Sequence, residues 1–211
     1  MIFEKIPVGK LLTNCYLLAD DNGRGVFIDP GDHPDRLLDI AREKGVQIEA
    51  IWLTHGHFDH MLAVAELKRV TGAPLYIHAA DEGCLDDPRR NLLAYFTVNI
   101  PLSLKADVLF REGDILQAGD LPFTVWETPG HTPGSCCFVN EALGIVFSGD
   151  TLFENGIGRT DMPGGSTRTL FRSLEEIGRL PGDMDIYPGH GELTTLQFEK
   201  DNNRYLRAKK K

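Results

Sequence analysis

Short apolar runs alternate along this chain with longer segments in which apolar positions recur at helical spacing. The short runs are rich in β-branched and aromatic residues and end at Gly, Pro, Asp or Asn, a pattern that predicts strands. The runs lie at residues 25–31, 49–56, 73–79, 123–131, 136–140, 144–150 and 185–190.

Three of the longer segments predict helices. The first begins near Pro34, a residue suited to a first helical turn, and ends at Gly45. The second is predicted from about Asp59 to Val70. The third follows Ser166, a suitable N-cap, and repeats apolar residues at helical spacing: Leu170, Phe171, Leu174 and Ile177.

The order of these elements bears on the fold class. Strands come first and are followed by mixed strands and helices, which predicts an α+β protein with two sheets and helices outside them. Without repeats or linkers, residues 1–211 are predicted to form a single domain. Residues 81–110 are predicted to be an irregular wall beside a site, and the residues after His190 suffice for one helix.

Composition restricts the partners. The chain has 211 residues, of which 42% are apolar, and no apolar run approaches the ~18 residues of a membrane helix. The N-terminus lacks the pattern of a signal peptide, so we expect a cytoplasmic protein without a membrane partner. The net charge of −9 and the absence of a basic stripe argue against a nucleic-acid partner. The terminal Lys-Lys-Lys is predicted to be a solvated tail. The four cysteines lack metal-site spacing and are predicted to be reduced core residues.

Metal-type ligands are concentrated in "HGHFDH", residues 55–60, and recur at the ends of predicted strands. Strand ends held by a rigid sheet are where sites are usually built. One such ending would mean little, but four predict a shared edge. The residues that follow the four runs are His55, His131, Asp150 and His190.

Imidazole and carboxylate groups are the ligands that zinc and similar first-row ions favour. His55 and His57 lie two apart in an extended segment, point the same way and can hold one ion. Asp59 and His60 are predicted to lie at the start of a helix, so their side chains project in another direction and can reach a second ion. The remaining ligands could then be His131 for the first ion and His190 for the second, with Asp150 bridging both.

The motifs "THGHFDH", "PGHTPGS", "FSGDTLF" and "PGHG", in this order, resemble those of the metallo-β-lactamase-fold hydrolases over nearly the whole chain. The stretches "DPG", "GIGRTDMPGG" and "GHGELTT" are similar to those of the small glyoxalase II-like branch. The resemblance implies a four-layer αββα sandwich with metals at one edge of the two sheets. It assigns His55, His57 and His131 to the first metal, Asp59, His60 and His190 to the second, and Asp150 to both.

The resemblance also implies a reaction. Two divalent ions, zinc or a mixture of zinc and iron or manganese, would hold a shared hydroxide that attacks a thioester or ester carbonyl. The expected substrate is an S-acylglutathione such as hydroxyacylglutathione. Asp59 is predicted to orient the hydroxide. Arg159 is predicted to bind a substrate carboxylate, and Asp161 to orient Arg159 or to cap the loop. Asp29 is predicted either to support the ligands from behind or to form a turn.

Other functions remain open. A persulfide dioxygenase would use one iron on His55, His131 and Asp150, and a metal-binding module would need no catalysis. The resemblance argues against antibiotic hydrolysis, because Asp150 takes the place of a bridging aspartate. The acidic charge and the lack of an additional RNA-binding module argue against nuclease activity. Glyoxalase II carries a further C-terminal helical domain with glutathione contacts, and this chain continues for only about twenty residues beyond His190.

Overall fold

The computed structural model describes residues 1–96 and 102–207, and within these ranges it contains fourteen strands and five α-helices. The helices are α1 (Pro34–Glu43), α2 (Val64–Thr71), α3 (Thr167–Ile177), α4 (Leu196–Asn202) and α5 (Arg204–Arg207). Short 3-10 turns lie at Phe58–His60, Ala79–Cys84 and Leu93–Tyr95. The strands are β1 (Ile2–Val8), β2 (Thr13–Ala19), β3 (Arg24–Ile28), β4 (Gln47–Trp52), β5 (Leu75–His78), β6 (Val108–Phe110), β7 (Ile115–Ala118), β8 (Leu121–Glu127), β9 (Cys136–Asn140), β10 (Ile145–Gly149), β11 (Leu152–Phe153), β12 (Gly156–Ile157), β13 (Asp185–Pro188) and β14 (Thr194–Thr195).

The strands form two six-stranded mixed sheets and one short hairpin within the described residues. The first sheet has the order β1-β2-β3-β4-β5-β6, antiparallel up to β3 and parallel from β3 onward. The second has the order β14-β13-β10-β9-β8-β7, and its parallel pair is β10 with β13. The strands β11 and β12 pair as the hairpin.

Three apolar clusters separate four layers. The first joins α1 and α2 to the outer face of the first sheet. The second lies between the sheets, where Trp52 packs edge-on against Phe123 and Phe138. The third joins the second sheet to α3 and α4. Each fully buried large apolar side chain contributes about 1.5–3 kcal/mol. The predicted four-layer αββα sandwich of class α+β is therefore confirmed.

The first and third helix predictions hold, whereas the second needs correction. The hydroxyl of Ser166 caps α3 by accepting a hydrogen bond from the backbone N–H of Thr169. The second helix was expected to begin at Asp59, but α2 begins at Val64 and Asp59 lies in a 3-10 turn. This turn is held by a backbone bond from His60 N–H to the carbonyl of His57. In this 3-10 turn the side chains of Asp59 and His60 approach the same point, whereas neighbouring side chains of an α-helix point in different directions.

Two other regions also differ from the prediction. The C-terminal segment forms two helices rather than one, because Asn203 leaves helical geometry and donates its side-chain amide to Gly156 O and Glu199 Oε2. The strands β1 and β2 were not predicted. The expected C-terminal tail of lysines lies outside the described residues.

The segment predicted to be irregular contains two 3-10 turns and ends in β6, while residues 97–101 of it lie outside the described ranges. Leu92 and Leu93 pack with Phe58, next to the ligand motif, which fits the predicted wall. All four cysteines are buried and free of disulfides, as expected. No helix in the described part of the chain is long and apolar enough to span a membrane.

Candidate metal centre

The polar residues that follow four strands converge at one edge of the sandwich. The motif of residues 55–60 follows β4 in the first sheet, and the other three residues follow strands of the second sheet. The centre thus combines side chains from both sheets. These later residues are His131 after β8, Asp150 after β10 and His190 after β13.

The first group consists of His55, His57 and His131, all nearly fully buried. One ring atom from each lies within 4.8 Å of the others. His55 Nε2 is 3.1 Å from His57 Nδ1, and the ring centroids of His57 and His131 are 4.5 Å apart. Three imidazole nitrogens facing one point match the ligand set of a first-row metal ion.

The second group consists of Asp59, His60 and His190, whose ligand atoms also lie within 4.8 Å of one another. His190 Nε2 lies 3.3 Å from both Asp59 Oδ2 and His60 Nε2. His60 is completely buried, whereas the side chain of His190 is 28% exposed. This group therefore opens toward solvent on one side.

Asp150 lies between the two groups. Its Oδ1 is 3.5 Å from His60 Nε2, and its Oδ2 is 3.4 Å from His131 Nε2 and 3.7 Å from His190 Nε2. A single carboxylate therefore faces both groups. Gly189 allows this close approach, because a side-chain carbon at that position would overlap Asp150 Oδ1.

Asp29 lies close to His55 and His60, but its oxygens are already used. Its Oδ1 accepts from Thr54 N–H at 2.8 Å, and its Oδ2 accepts from the Thr54 hydroxyl at 2.6 Å. The same Oδ2 lies 3.0 Å from His60 Nδ1. Asp29 therefore supports the histidines from behind, as the sequence suggested.

The outer ring nitrogens of the histidines are held by protein acceptors. His60 Nδ1 donates to Asp29, His131 Nδ1 donates to the carbonyl of Arg159 at 2.8 Å, and His190 Nδ1 donates to the carbonyl of Leu11 at 3.1 Å. The Thr54 hydroxyl donates its hydrogen bond to Asp29, so its oxygen is free to accept one from His55 Nδ1 at 3.1 Å. Bonds of this kind fix ring orientation and leave the inner nitrogen as a lone-pair donor for a metal.

Three polar atoms of the cluster lack hydrogen-bond partners among the described residues. Within residues 1–96 and 102–207, His57 Nε2, His131 Nε2 and Asp150 Oδ1 are buried without a hydrogen bond. Buried polar atoms normally have one, and leaving one unpaired costs about 1–3 kcal/mol. Divalent cations would satisfy such nitrogen and carboxylate donors, so the residues present fit a metal centre.

The charge balance of the cluster agrees with this fit. Burial and the neighbouring histidines lower the pKa of His55 and His57 well below the usual range, which keeps these rings neutral. For Asp59, burial would raise the pKa, but His60 and His190 outweigh it and hold the pKa below the usual range. Burial likewise opposes protonation of His60, yet Asp59 and the other carboxylates raise its pKa to about 10. The carboxylates of the cluster thus favour positive charge at this place.

The N-terminal strand β2 holds part of the centre in place, a role that the sequence did not reveal. The hydroxyl of Thr13 donates to Asp59 Oδ2 at 3.0 Å. Asn14 donates its backbone N–H to Gly189 O and its side-chain amide to Pro188 O, which ties β2 to the loop before His190. No motif marks these two residues in the sequence.

Arg159 lies on the loop after the hairpin β11–β12, and its backbone carbonyl contacts His131. Its side chain is 58% exposed and makes a two-pronged pair with Asp161, at 2.7 and 2.8 Å. The structure thus places the arginine beside the first group, with Asp161 orienting it as predicted. Met162 of the same loop packs against the apolar wall of Phe58, Leu92 and Leu93.

Comparison with known proteins identifies the family to which this chain belongs. Residues 8–190 match the family model described as the metallo-beta-lactamase superfamily. The hydroxyacylglutathione hydrolase GloC of Haemophilus influenzae is 35% identical over 211 residues, which cover 99% of this chain and 100% of GloC.

Three solved structures are also similar over nearly the whole chain. BLEG-1, described as a B3 metallo-beta-lactamase, has a TM-score of 0.92 at 36% identity, covering 97% of this chain and 99% of its own. TTHA1623 in a di-iron-bound form has a TM-score of 0.87 at 37% identity, with coverages of 96% and 100%. ETHE1 from Myxococcus xanthus has a TM-score of 0.82 at 31% identity, with coverages of 98% and 85%. The fold, the His/Asp cluster and these matches lead to one conclusion: the chain belongs to the metallo-beta-lactamase superfamily.

Proposed function

We propose that this protein is a dinuclear metal-dependent hydrolase that cleaves thioesters of the S-acylglutathione class. The observation that carries the metal centre is the convergence of imidazole nitrogens and carboxylate oxygens at one place, three of which are buried without a hydrogen-bond partner. Zinc is the metal we expect, and the di-iron form of TTHA1623 makes iron the alternative to measure. In this assignment His55, His57 and His131 would hold the first cation and Asp59, His60 and His190 the second, while Asp150, which faces both groups, would serve both.

The metals would supply a hydroxide at neutral pH and polarise the substrate carbonyl. The protein contributes orientation. Asp59 is ionised and held by Thr13, so that one of its oxygens can accept a hydrogen bond from the attacking water and direct it. The new bond joins the water oxygen to the carbonyl carbon, the carbon–sulfur bond breaks, and the products are a carboxylate, a thiol that takes up one proton of the water, and a second proton released to solvent. A thiolate leaves readily, so the reaction needs no strong general acid.

Arg159 is the residue that we assign to a substrate carboxylate. Its pairing with Asp161 is exposed, and exposed ion pairs contribute only about 0–1 kcal/mol. A carboxylate of the substrate can therefore replace Asp161 at little cost, with the same two-pronged geometry. The carbonyl of Arg159 orients His131, so the loop can link substrate binding to the first group.

The likeness to GloC supports the thioester substrate, since GloC is described as a hydroxyacylglutathione hydrolase and matches this chain over its full length. The likeness to ETHE1 supports the second candidate equally well, a persulfide dioxygenase with one iron held by His55, His131 and Asp150. The sequence motifs disfavoured antibiotic hydrolysis, yet the likeness to BLEG-1 places a β-lactam among the substrates to test.

One series of measurements separates these activities. Metal content is measured on protein purified without added metal, and the same sample is assayed with S-lactoylglutathione, with glutathione persulfide in an oxygen electrode, and with a chromogenic cephalosporin. We expect about two metal ions per chain and turnover of the thioester without oxygen uptake. One iron per chain with oxygen consumption would establish the dioxygenase instead, and turnover of the cephalosporin alone would establish a β-lactamase.

The role of Arg159 is tested by comparing KM for a charged and an uncharged thioester. Arg159→Ala should raise KM for S-lactoylglutathione, which bears carboxylates, and leave KM for an uncharged N-acetylcysteamine thioester unchanged. Arg179→Ala serves as the matched control, because Arg179 is also exposed and paired with a nearby acid, Glu176, on the surface at the end of α3. Equal effects of Arg159→Ala on both substrates would contradict the proposed contact.

A further inference from the structure

A fully buried carboxylate, Asp81, lies outside the ligand cluster on the 3-10 turn that follows β5. A buried carboxylate is costly unless its oxygens receive hydrogen bonds. The start of the turn is fixed by His78, whose Nδ1 accepts from Ala80 N–H and whose Nε2 lies 2.7 Å from Glu127 Oε1 of β8. Asp81 is thus presented from a rigid position between the two sheets.

The hydrogen bonds of Asp81 connect the two loops that carry the three-histidine group. Its Oδ2 accepts from Gly56 N–H at 2.9 Å, and Gly56 stands between His55 and His57. The same oxygen accepts from the hydroxyl of Thr132 at 2.6 Å, and its Oδ1 accepts from Gly134 N–H at 2.7 Å. Thr132 directly follows His131. One carboxylate therefore joins a loop of the first sheet to a loop of the second.

The packing around these hydrogen bonds leaves no room for a side chain at Gly56 or Gly134. A side-chain carbon on Gly134 would lie 2.6 Å from Asp81 Cγ, and one on Gly56 would overlap Cys84. Within the second loop, Ser135 Oγ accepts from Thr132 N–H at 2.9 Å and lies 2.8 Å from its hydroxyl. The loop is therefore internally braced, and its link to Asp81 sets where His131 lies relative to the other loop.

We propose that Asp81 is a positioning residue that fixes the three-histidine group by holding its two loops together. Among the described residues its hydrogen bonds go to Gly56, Thr132 and Gly134 and not to a ligand ring, so its effect passes through the backbone of Gly56 and the residues after His131. The second group, Asp59, His60 and His190, has no bond to Asp81 among the described contacts and should be largely independent of it. The inference rests on the proposed metal centre, but not on the thioester substrate.

The test is the zinc affinity of each group in Asp81→Asn, which keeps the shape but presents an amide donor to backbone donors. His190→Ala provides a background in which the three-histidine group is intact, and His57→Ala provides one in which the second group is intact. Zinc affinity is measured by competition with a chelating dye, and cobalt absorption spectra report the coordination. In the first background, Asp81→Asn should weaken zinc binding by about 10–100-fold, the usual effect of losing such support, and change the cobalt spectrum. In the second it should have a much smaller effect.

Two matched comparisons separate positioning from general stability. Asp20 is also a buried carboxylate with several hydrogen bonds, but it follows the far end of β2, about 20 Å along the strand from Thr13. Asp20→Asn should lower the melting temperature and leave both zinc affinities intact. Thr132→Val should repeat the selective loss seen in Asp81→Asn, and Thr132→Ser, which restores the hydroxyl, should recover most of the affinity.

Several results would overturn the proposal. If Asp81→Asn weakened zinc binding by both groups equally, Asp81 would be merely structural. The same would follow if the three-histidine group bound zinc as tightly in Asp81→Asn as in Asp20→Asn. Failure of the unmodified protein to bind any zinc, cobalt or iron would instead overturn the metal centre itself. That outcome is read from the first titration, before any variant is compared.

Discussion

Replacing Thr54 by valine removes one hydroxyl from a relay that joins Asp29 to the histidines. The hydroxyl donates to Asp29 Oδ2 at 2.6 Å and accepts from His55 Nδ1. Valine keeps the shape of the side chain but can do neither. Since Gly149 packs directly against this hydroxyl, water has no space to replace it.

The size of the effect follows from these two contacts. A hydrogen bond to a charged group contributes about 1.5–3 kcal/mol, and a buried donor left unpaired costs about 1–3 kcal/mol. Because both losses come from one hydroxyl they overlap, and we expect Thr54→Val to lose about 2–4 kcal/mol of folding free energy. For a domain of this size each kcal/mol shifts the melting temperature by about 2–4 °C, which gives a decrease of about 4–16 °C.

The assay is thermal denaturation followed by circular dichroism on chelator-treated protein, so that metal binding does not enter the comparison. Thr54→Ser is the matched control, because it keeps the hydroxyl and loses only a methyl group. Zinc affinity is measured in parallel, and Thr54→Val should weaken it by about 10–100-fold because His55 is no longer held in orientation. If the valine and serine variants had the same melting temperature and zinc affinity, the relay would have no energetic role.

The remaining predictions concern four other positions. Asp150→Ala should abolish metal binding and turnover together, because this carboxylate faces both groups, and a variant with two metals and near-normal turnover would contradict the bridge. Gly189→Ala should lose about 1–3 kcal/mol and much of its metal, since the added methyl overlaps Asp150 Oδ1. Gly156→Ala, whose nearest neighbouring atoms lie 3.7 Å away, should alter neither melting temperature nor metal content. Hydrogen bonds from Arg24 lower the pKa of Asp20 to about 2, so its ionised form stabilises the fold above about pH 4 and this contribution is lost as the pH falls toward 2. The difference in melting temperature between the unmodified protein and Asp20→Asn should therefore shrink over that interval, and a difference that stayed constant would refute this explanation.

The sequence predicted the strand ends that meet at the metal centre because each combines an apolar run with a nearby polar residue. It missed β2 for a physical reason. That strand is buried along its whole length, between the helices on one side and the second sheet on the other. Strands covered on both faces show no alternation of apolar and polar residues. The prediction of a helix from Asp59 failed because periodicity does not register a 3-10 turn that aims two side chains at one point.

Apart from Asp29, the residues that support the ligands could not be predicted from local pattern. Thr13 contacts Asp59 across 46 positions, and Asp81 contacts Thr132 across 51. Each is an ordinary polar residue in its own segment, and only the packing of the two sheets brings the partners together. The ligand atoms come from short motifs, whereas the bonds that orient them are made between distant parts of the chain.

The placement of residues on strand ends or on loops also bears on which substrate is recognised. The ligand cluster is built on strand ends, while the residues around it, Arg159 and the wall of Phe58 and Leu92, lie on turns and loops between strands. Proteins described as a hydroxyacylglutathione hydrolase, a B3 metallo-beta-lactamase and ETHE1 all resemble this chain at 31–36% identity. A shared core therefore does not identify the reaction, because loops can vary on a constant scaffold. It follows that variants of the ligands can test whether metal is needed, but only variants of the loops can show which substrate is recognised. The comparison of charged and uncharged thioesters in Arg159→Ala is the experiment that addresses this second question.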